Sequence, residues 1–146
     1  MLRRAVLAAL LLPVLPCPAA AQTTQFRDAQ GRVTGRAETR GTITTYYDPQ
    51  GRMIGRSERS GGIIRHFDAQ GRSLGRSEER GGAIHGYDAQ NRGTGRAEQR
   101  GTTTTRYDAQ GRRIERAERR GTTTTYYDAE GRSTGRSDGP APPFAR

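Results

Sequence analysis

Lysine and tryptophan are absent from this 146-residue chain, cysteine occurs once, and phenylalanine three times. Each absence closes off something. With 31% hydrophobic residues and a mean hydropathy of -0.93, the chain cannot build a thick apolar core, and such a composition taken alone points to disorder. No apolar run reaches the roughly 20 residues that a membrane-spanning helix needs. The one cysteine, Cys17, sits in an N-terminal stretch with Arg3 and Arg4, an apolar segment from Ala5 to Leu15, and the small residues Ala19, Ala20 and Ala21. That order predicts a signal peptide over residues 1–21, cut after Ala21. Leu15 and Pro16 stand where a lipoprotein site requires small residues, so Cys17 is expected to leave with the signal. The remaining chain then has no cysteine, which excludes the disulfide staples of many small secreted domains. An exported protein is expected, periplasmic or extracellular.

What is present is a repeat. Asp28, Asp48, Asp68, Asp88, Asp108 and Asp128 are spaced by 20 residues without an insertion. Five of them follow an aromatic residue, Tyr47, Phe67, Tyr87, Tyr107 or Tyr127, and the first copy shifts its aromatic to Phe26. Midway between the aspartates lie Glu38, Glu58, Glu78, Glu98 and Glu118, each followed three residues later by a glycine from Gly41 to Gly121. Acid-x-x-Gly reads as a type I turn closed by a left-handed glycine, with the carboxylate capping the turn, so a period of ten is expected: turn, then a six-residue strand. Pro49 falls where a fixed φ is welcome, and Asn91 replaces glycine with the next most tolerant residue. Between turns, stretches such as Thr42 to Tyr47 and the threonine runs at 102–105 and 122–125 are β-branched, as strands prefer.

The expected fold is therefore all-β: about twelve short strands forming six hairpin repeats over residues 22–138, with a Pro-rich tail over 139–146. An elongated, twisted antiparallel meander stabilised between neighbouring repeats is the first expectation, and a closed up-and-down barrel is the alternative. Alternation along the strands, with the acid opposite the residue after the glycine, places Ile43, Thr45 and Tyr47 with Met53, Gly55 and Ser57 on a packed face. Thr44, Tyr46 and Asp48 with Arg52, Ile54 and Arg56 are left facing solvent.

The aromatic-Asp-Ala-Gln-Gly-Arg core with its later glycine resembles the YD repeats of Rhs-type bacterial surface and toxin-shell proteins, over residues 25–137. The resemblance implies repeats that coil into a β-sheet shell, and the family is also associated with carbohydrate binding. This chain departs in size, because six repeats cannot enclose a toxin domain, and encapsulation is not carried over. A looser likeness to choline-binding and MORN hairpin repeats rests only on alternating aromatics and glycines.

Charge is the remaining functional signal. All 25 basic residues are arginines, and removing Arg3 and Arg4 leaves 23 against 15 acids, about +8. Guanidinium forks match phosphate, sulfate and carboxylate. The candidate polyanion-binding residues are Arg32 and Arg36, Arg52 and Arg56, Arg72 and Arg76, Arg92 and Arg96, Arg112 and Arg116, and Arg132 and Arg136, read as ladders on the solvent face. The expected partners are an acidic polysaccharide or lipopolysaccharide, with nucleic acid the weaker candidate for an exported chain; pairing of these arginines with the turn acids is the competing reading. Self-association through open edge strands at the first and last repeats is a second expectation.

No enzyme, cofactor or metal is expected. His66 and His85 fall on opposite faces and read as surface substitutions, the acids recur as turn caps, and no turn offers the six to eight oxygens of a calcium site.

Overall fold

The computed structural model describes residues 21–140; residues 1–20 of the predicted signal peptide and residues 141–146 of the Pro-rich tail lie outside them. Twelve strands follow one another: β1 (Gln22–Asp28), β2 (Val33–Arg40), β3 (Ile43–Tyr47), β4 (Met53–Ser60), β5 (Ile63–Asp68), β6 (Ser73–Arg80), β7 (Ala83–Asp88), β8 (Gly93–Arg100), β9 (Thr103–Asp108), β10 (Arg113–Arg120), β11 (Thr123–Asp128) and β12 (Ser133–Asp138). Each is antiparallel to its sequence neighbours, and β1 also pairs with β12 through Gln25↔Asp138, Phe26↔Ser137, Arg27↔Arg136 and Asp28↔Gly135.

The sheet is a closed twelve-strand barrel. Of the two architectures the sequence allowed, the closed one forms, and the open meander is corrected. A physical cause recurs in every repeat: the register shifts by one residue after each Asp turn, between Phe26 and Arg27, Tyr46 and Tyr47, His66 and Phe67, Gly86 and Tyr87, Arg113 and Glu115, and Tyr126 and Tyr127. A bulge bends its strand and increases the local twist. Six equivalent bends curl the sheet until its edges meet, which satisfies the backbone groups an open edge would expose. Closure also removes the edges proposed for end-to-end association, since β1 and β12 are paired with each other.

The bulge corrects the face assignment too. Tyr47 lies opposite Met53 as expected, but Tyr46 lies opposite Gly55, Thr45 opposite Arg56 and Thr44 opposite Ser57. A one-residue slip exchanges the two faces of a strand. Tyr46 and Thr44 therefore face inward with Gly55 and Ser57, while Tyr47 and Thr45 face outward with Arg56.

The two turn families differ. At the Asp turns the expectation holds: the Asp28 carbonyl accepts from Gly31 N–H at 3.0 Å, its Oδ1 accepts from the Gln30 and Arg32 amides at 3.0 and 2.9 Å, and Gly31 takes φ +81°. Asn91 occupies the same place at φ +66°, the one non-glycine residue of positive φ among those described. The Glu turns are shorter. Arg40 pairs with Ile43, leaving a two-residue turn with Gly41 at φ +59°, the II′ pattern that suits a twisted hairpin. Glu38 is consequently a strand residue opposite Thr45, not a turn cap, and the ten-residue period conceals two kinds of hairpin.

The half of the interior toward the Glu turns is filled with small side chains. Ala37, Thr44, Ser57, Ile64 and Ser137 are all fully buried there, at most 2% exposed. Strands approach closely beside the bulges, because glycine follows five of the six: a Cβ on Gly75 or Gly95 would stand 2.1 or 2.2 Å from the carbonyl oxygen of Tyr87 or Tyr107.

Candidate functional sites: the arginine belts and the lumen

The twelve candidate arginines do not share one flat face. Closure distributes them over two belts around the barrel. Arg32, Arg52, Arg72, Arg92, Arg112 and Arg132 project at the Asp-turn end, with side chains 76–78% exposed, and each donates through Nε to the aspartate of its own turn at 2.6–2.7 Å. The hydrogen bond from the Arg32 side chain holds the Asp28 carboxyl below its ordinary range. Backbone hydrogen bonds from Arg92 and Arg112 lead the same effect at Asp88 and Asp108.

The second belt is mid-wall. Arg36, Arg56, Arg76 and Arg96 donate through Nε to Glu38, Glu58, Glu78 and Glu98 at 2.7–3.0 Å, and Arg116 reaches Glu118 at 3.3 Å. The same five guanidinium groups lie over the rings of Tyr47, Phe67, Tyr87, Tyr107 and Tyr127, 4.4–4.8 Å from the centroids. Each stack joins one hairpin to the next and contributes about 0.5–1 kcal/mol at an exposed site. The repeat aromatics thus serve the outer wall instead of packing the interior. At the β1–β12 junction the first copy has Arg27 where the others have a ring. Arg136 therefore faces an arginine, and Asp138 stands between the two at 3.7 and 3.8 Å.

A third set was missed by the sequence reading. Arg40, Arg80 and Arg100 stand at the Glu-turn end, 76–90% exposed, 3.7–4.0 Å from Glu38, Glu78 and Glu98, the same carboxylates that already accept from the mid-wall arginines. One carboxylate serving two guanidinium groups leaves a surplus positive charge in each such copy. The signal was present as the arginine before four of the five Glu-turn glycines, Arg40, Arg80, Arg100 and Arg120, with Ser60 in the remaining copy, obscured by treating Glu as a cap.

The sequence reading also missed the lumen. A cavity of about 660 Å³ occupies the Asp-turn half of the barrel, within the range of about 300–1,000 Å³ usual for small-molecule sites. One inward position per repeat forms its ring: Phe26, Tyr46, His66, Gly86, Arg106 and Tyr126. His66, expected at the surface, is held inside by Ser57 Oγ at 2.9 Å from Nδ1 and Ser77 Oγ at 3.0 Å from Nε2, and burial lowers its pKa. His85 faces outward, opposite Glu78 and Arg96. The Tyr126 hydroxyl lies 3.0 Å from Ser137 Oγ, and burial raises the Tyr46 pKa. Arg106 and Glu115 are direct cross-strand partners 3.6 Å apart at their side chains. Ile54, Leu74 and Ile114 line the same cavity and are 43–57% exposed, forming an apolar collar beside the Asp turns.

Residues 27–63 match a family model described as RHS Repeat, in keeping with the resemblance of the aromatic-Asp-x-Gln-Gly-Arg units. The matched segment covers one copy of the unit and most of the next. No curated protein matches the chain significantly.

Proposed function

We propose that the protein is an exported, non-catalytic binding module that engages an anionic polymer of the cell envelope or matrix, an acidic polysaccharide or lipopolysaccharide, through the arginines around its barrel. RHS repeats occur in cell-surface and secreted proteins, which is consistent with export. The observation that carries the reading is the unequal pairing of the belts. The Asp-turn arginines are matched one to one by aspartates, whereas Glu38, Glu78 and Glu98 each serve two arginines. Uncompensated guanidinium groups therefore gather at the Glu-turn end, where a polyanion gains most from contact. The candidate residues divide accordingly: Arg36, Arg56, Arg76, Arg96, Arg116 and Arg136 support the surface from mid-wall, and Arg32 with its equivalents mainly stabilises its own turns.

Retention of the purified protein on immobilised heparin and lipopolysaccharide across a salt gradient tests the proposal. Exposed charges are screened within about 10 Å at 0.1 M salt, so elution is expected at moderate salt. Replacing Arg40, Arg80, Arg100 and Arg120 by glutamine should lower the eluting salt more than replacing Arg32, Arg52, Arg72 and Arg92. Absence of retention at low salt refutes the reading, and equal loss from both sets refutes the assignment to the Glu-turn end.

A further inference from the structure

The inward ring carries a side chain in every copy but one. Phe26, Tyr46, His66 and Tyr126 supply flat rings and Arg106 a planar guanidinium, whereas β7 has Gly86. Neither constraint that calls for glycine at Gly31 or Gly75 operates here. Gly86 does not take a positive φ, and a Cβ built on it would stand 3.8 Å from the nearest backbone atom, the Gly95 carbonyl oxygen. The one close neighbour is a side-chain atom, Thr94 Oγ1 at 2.7 Å. A repeat that breaks its own pattern without a local reason does so mainly at functional sites.

The missing side chain uncovers the next layer toward the Glu turns. Two residues before each ring position, on the same face of the strand, stand Thr24, Thr44, Ile64, Ile84, Thr104 and Thr124. Beneath Phe26, Tyr46, His66 and Tyr126 these residues are between 1% and 7% exposed. Ile84, beneath Gly86, is only half-buried, and it is the one of the six that lines the cavity. The cavity thus deepens at this point to an apolar floor. Ser77 faces Gly86 from β6, with its hydroxyl held by His66 Nε2 at 3.0 Å, and the Thr94 hydroxyl stands at the edge on β8. The hairpins on either side bring the collar residues Leu74 and Ile114 to the same cavity.

The gap at Gly86 is the repeat equivalent of the place that Tyr46 and Tyr126 fill with a phenol ring, and apolar cavities of about 150 Å³ take up benzene. Charge selects an uncharged occupant. Arg106 and Glu115 are charged residues at the ring level and are paired with each other across β9 and β10, so an ion would bring in a charge without a counter-charge of its own. We propose that the lumen binds a small uncharged aromatic molecule of the phenol class, its ring in the gap at Gly86 over Ile84 and its hydroxyl against that of Thr94. The rest of the 660 Å³ cavity leaves room toward the mouth for a substituent on the ring. This site is separate from the outer arginine surface and does not depend on polymer binding.

Isothermal titration calorimetry of the purified protein with p-cresol, the side chain of tyrosine, tests the proposal. Three comparison probes are 4-methylcyclohexanol, which is not flat, the 4-methylbenzoate anion and the 4-methylbenzylammonium cation. Each should bind at least about fivefold more weakly than p-cresol. Gly86→Tyr supplies the missing ring covalently, changes no charge and displaces only the Thr94 side chain. It should keep or raise its thermal transition, since glycine weakens a strand, and keep its retention on heparin while losing at least about tenfold in affinity for p-cresol. Ile84→Thr, which installs the residue that four copies carry there, should weaken p-cresol by about threefold or more and decides the matter if Gly86→Tyr does not fold. No heat with p-cresol at about 10 mM, equal affinity for any of the three comparison probes, or undiminished binding by either folded variant would each overturn the proposal. Heparin retention is read separately, so failure of this site is distinguishable from failure of the polymer surface.

Discussion

Neighbouring positions on the same strands follow opposite rules. On the outer wall the chain places Tyr47, Phe67, Tyr87, Tyr107 and Tyr127 at equivalent points, each under an arginine of the preceding hairpin. One residue earlier, facing the lumen, it places Phe26, Tyr46, His66, Gly86, Arg106 and Tyr126. The outer position must make the same stack with every neighbour, so its chemistry is held nearly constant. The inner position faces shared space, where five different residue types occupy the six places of one ring. The wall is thus where this repeat is structural, and the lumen is where the copies differ chemically.

The largest expected way to disturb that division is at the glycines that let the wall close. Gly95→Val would drive a Cβ to 2.2 Å from the Tyr107 carbonyl oxygen at a backbone φ of +139°, and should cost roughly 3 kcal/mol or more, measured by urea denaturation. Gly31→Asn should cost less than about 1 kcal/mol, because nothing lies within 4 Å of a Cβ there and Asn91 already holds the equivalent conformation at φ +66°. Similar losses at the two sites would show that close strand approach is not what the wall requires.

A smaller effect is expected at His66. Burial lowers its folded pKa below the ordinary histidine value of about 6.5, so the folded protein binds fewer protons there than the unfolded chain. Its contribution to stability is then fully present above about pH 6.5 and is lost as pH falls from there through the folded value. His66→Phe, which takes the ring of Phe26 but leaves Ser57 and Ser77 without the imidazole, should cost about 1–3 kcal/mol at neutral pH. It should also flatten the stability profile below about pH 6.5. An unchanged profile in the variant would mean that His66 does not set the pH response of the lumen.

The smallest effect belongs to a single outer stack. Tyr107→Leu removes the ring under Arg96, 4.6 Å away, and should cost about 0.5–1 kcal/mol from the lost stack. A loss as large as that of His66→Phe would place the aromatic repeat in a more central structural role than the wall geometry gives it.

Much of this was legible in the sequence, for reasons that particular residues make clear. The Asp turns could be read because Pro49 and Asn91 each satisfy a constraint specific to that turn. Twelve strands followed from regular turn spacing and β-branched runs. The faces of β3 were not legible, because a bulge after Tyr46 leaves no distinctive residue: Ile54, the extra residue, reads as an ordinary strand position. One unseen slip moved Tyr47 outward and brought Tyr46 inward, and with them the lumen went unnoticed. The Glu turns were misread because Glu-x-x-Gly and Asp-x-x-Gly have the same spacing, while only the shorter aspartate carboxylate reaches the turn amides. Closure was legible only as an alternative, since it depends on the sum of six small bends and not on any local signal. The arginines were correctly placed outside, but their pairing required the register that brings Arg36 and Arg40 to the same Glu38.

Closure is the claim from which the belts, the lumen and the absence of free edges all follow, and amide hydrogen exchange tests it most directly. In the closed barrel the amides of β1 and β12 that face each other are bonded through the Gln25↔Asp138 and Arg27↔Arg136 region. Their protection should approach that of β5 to β8 on the far side of the ring. Rapid exchange at alternate amides of β1 and β12, with the central strands protected, would show an open sheet and contradict the account.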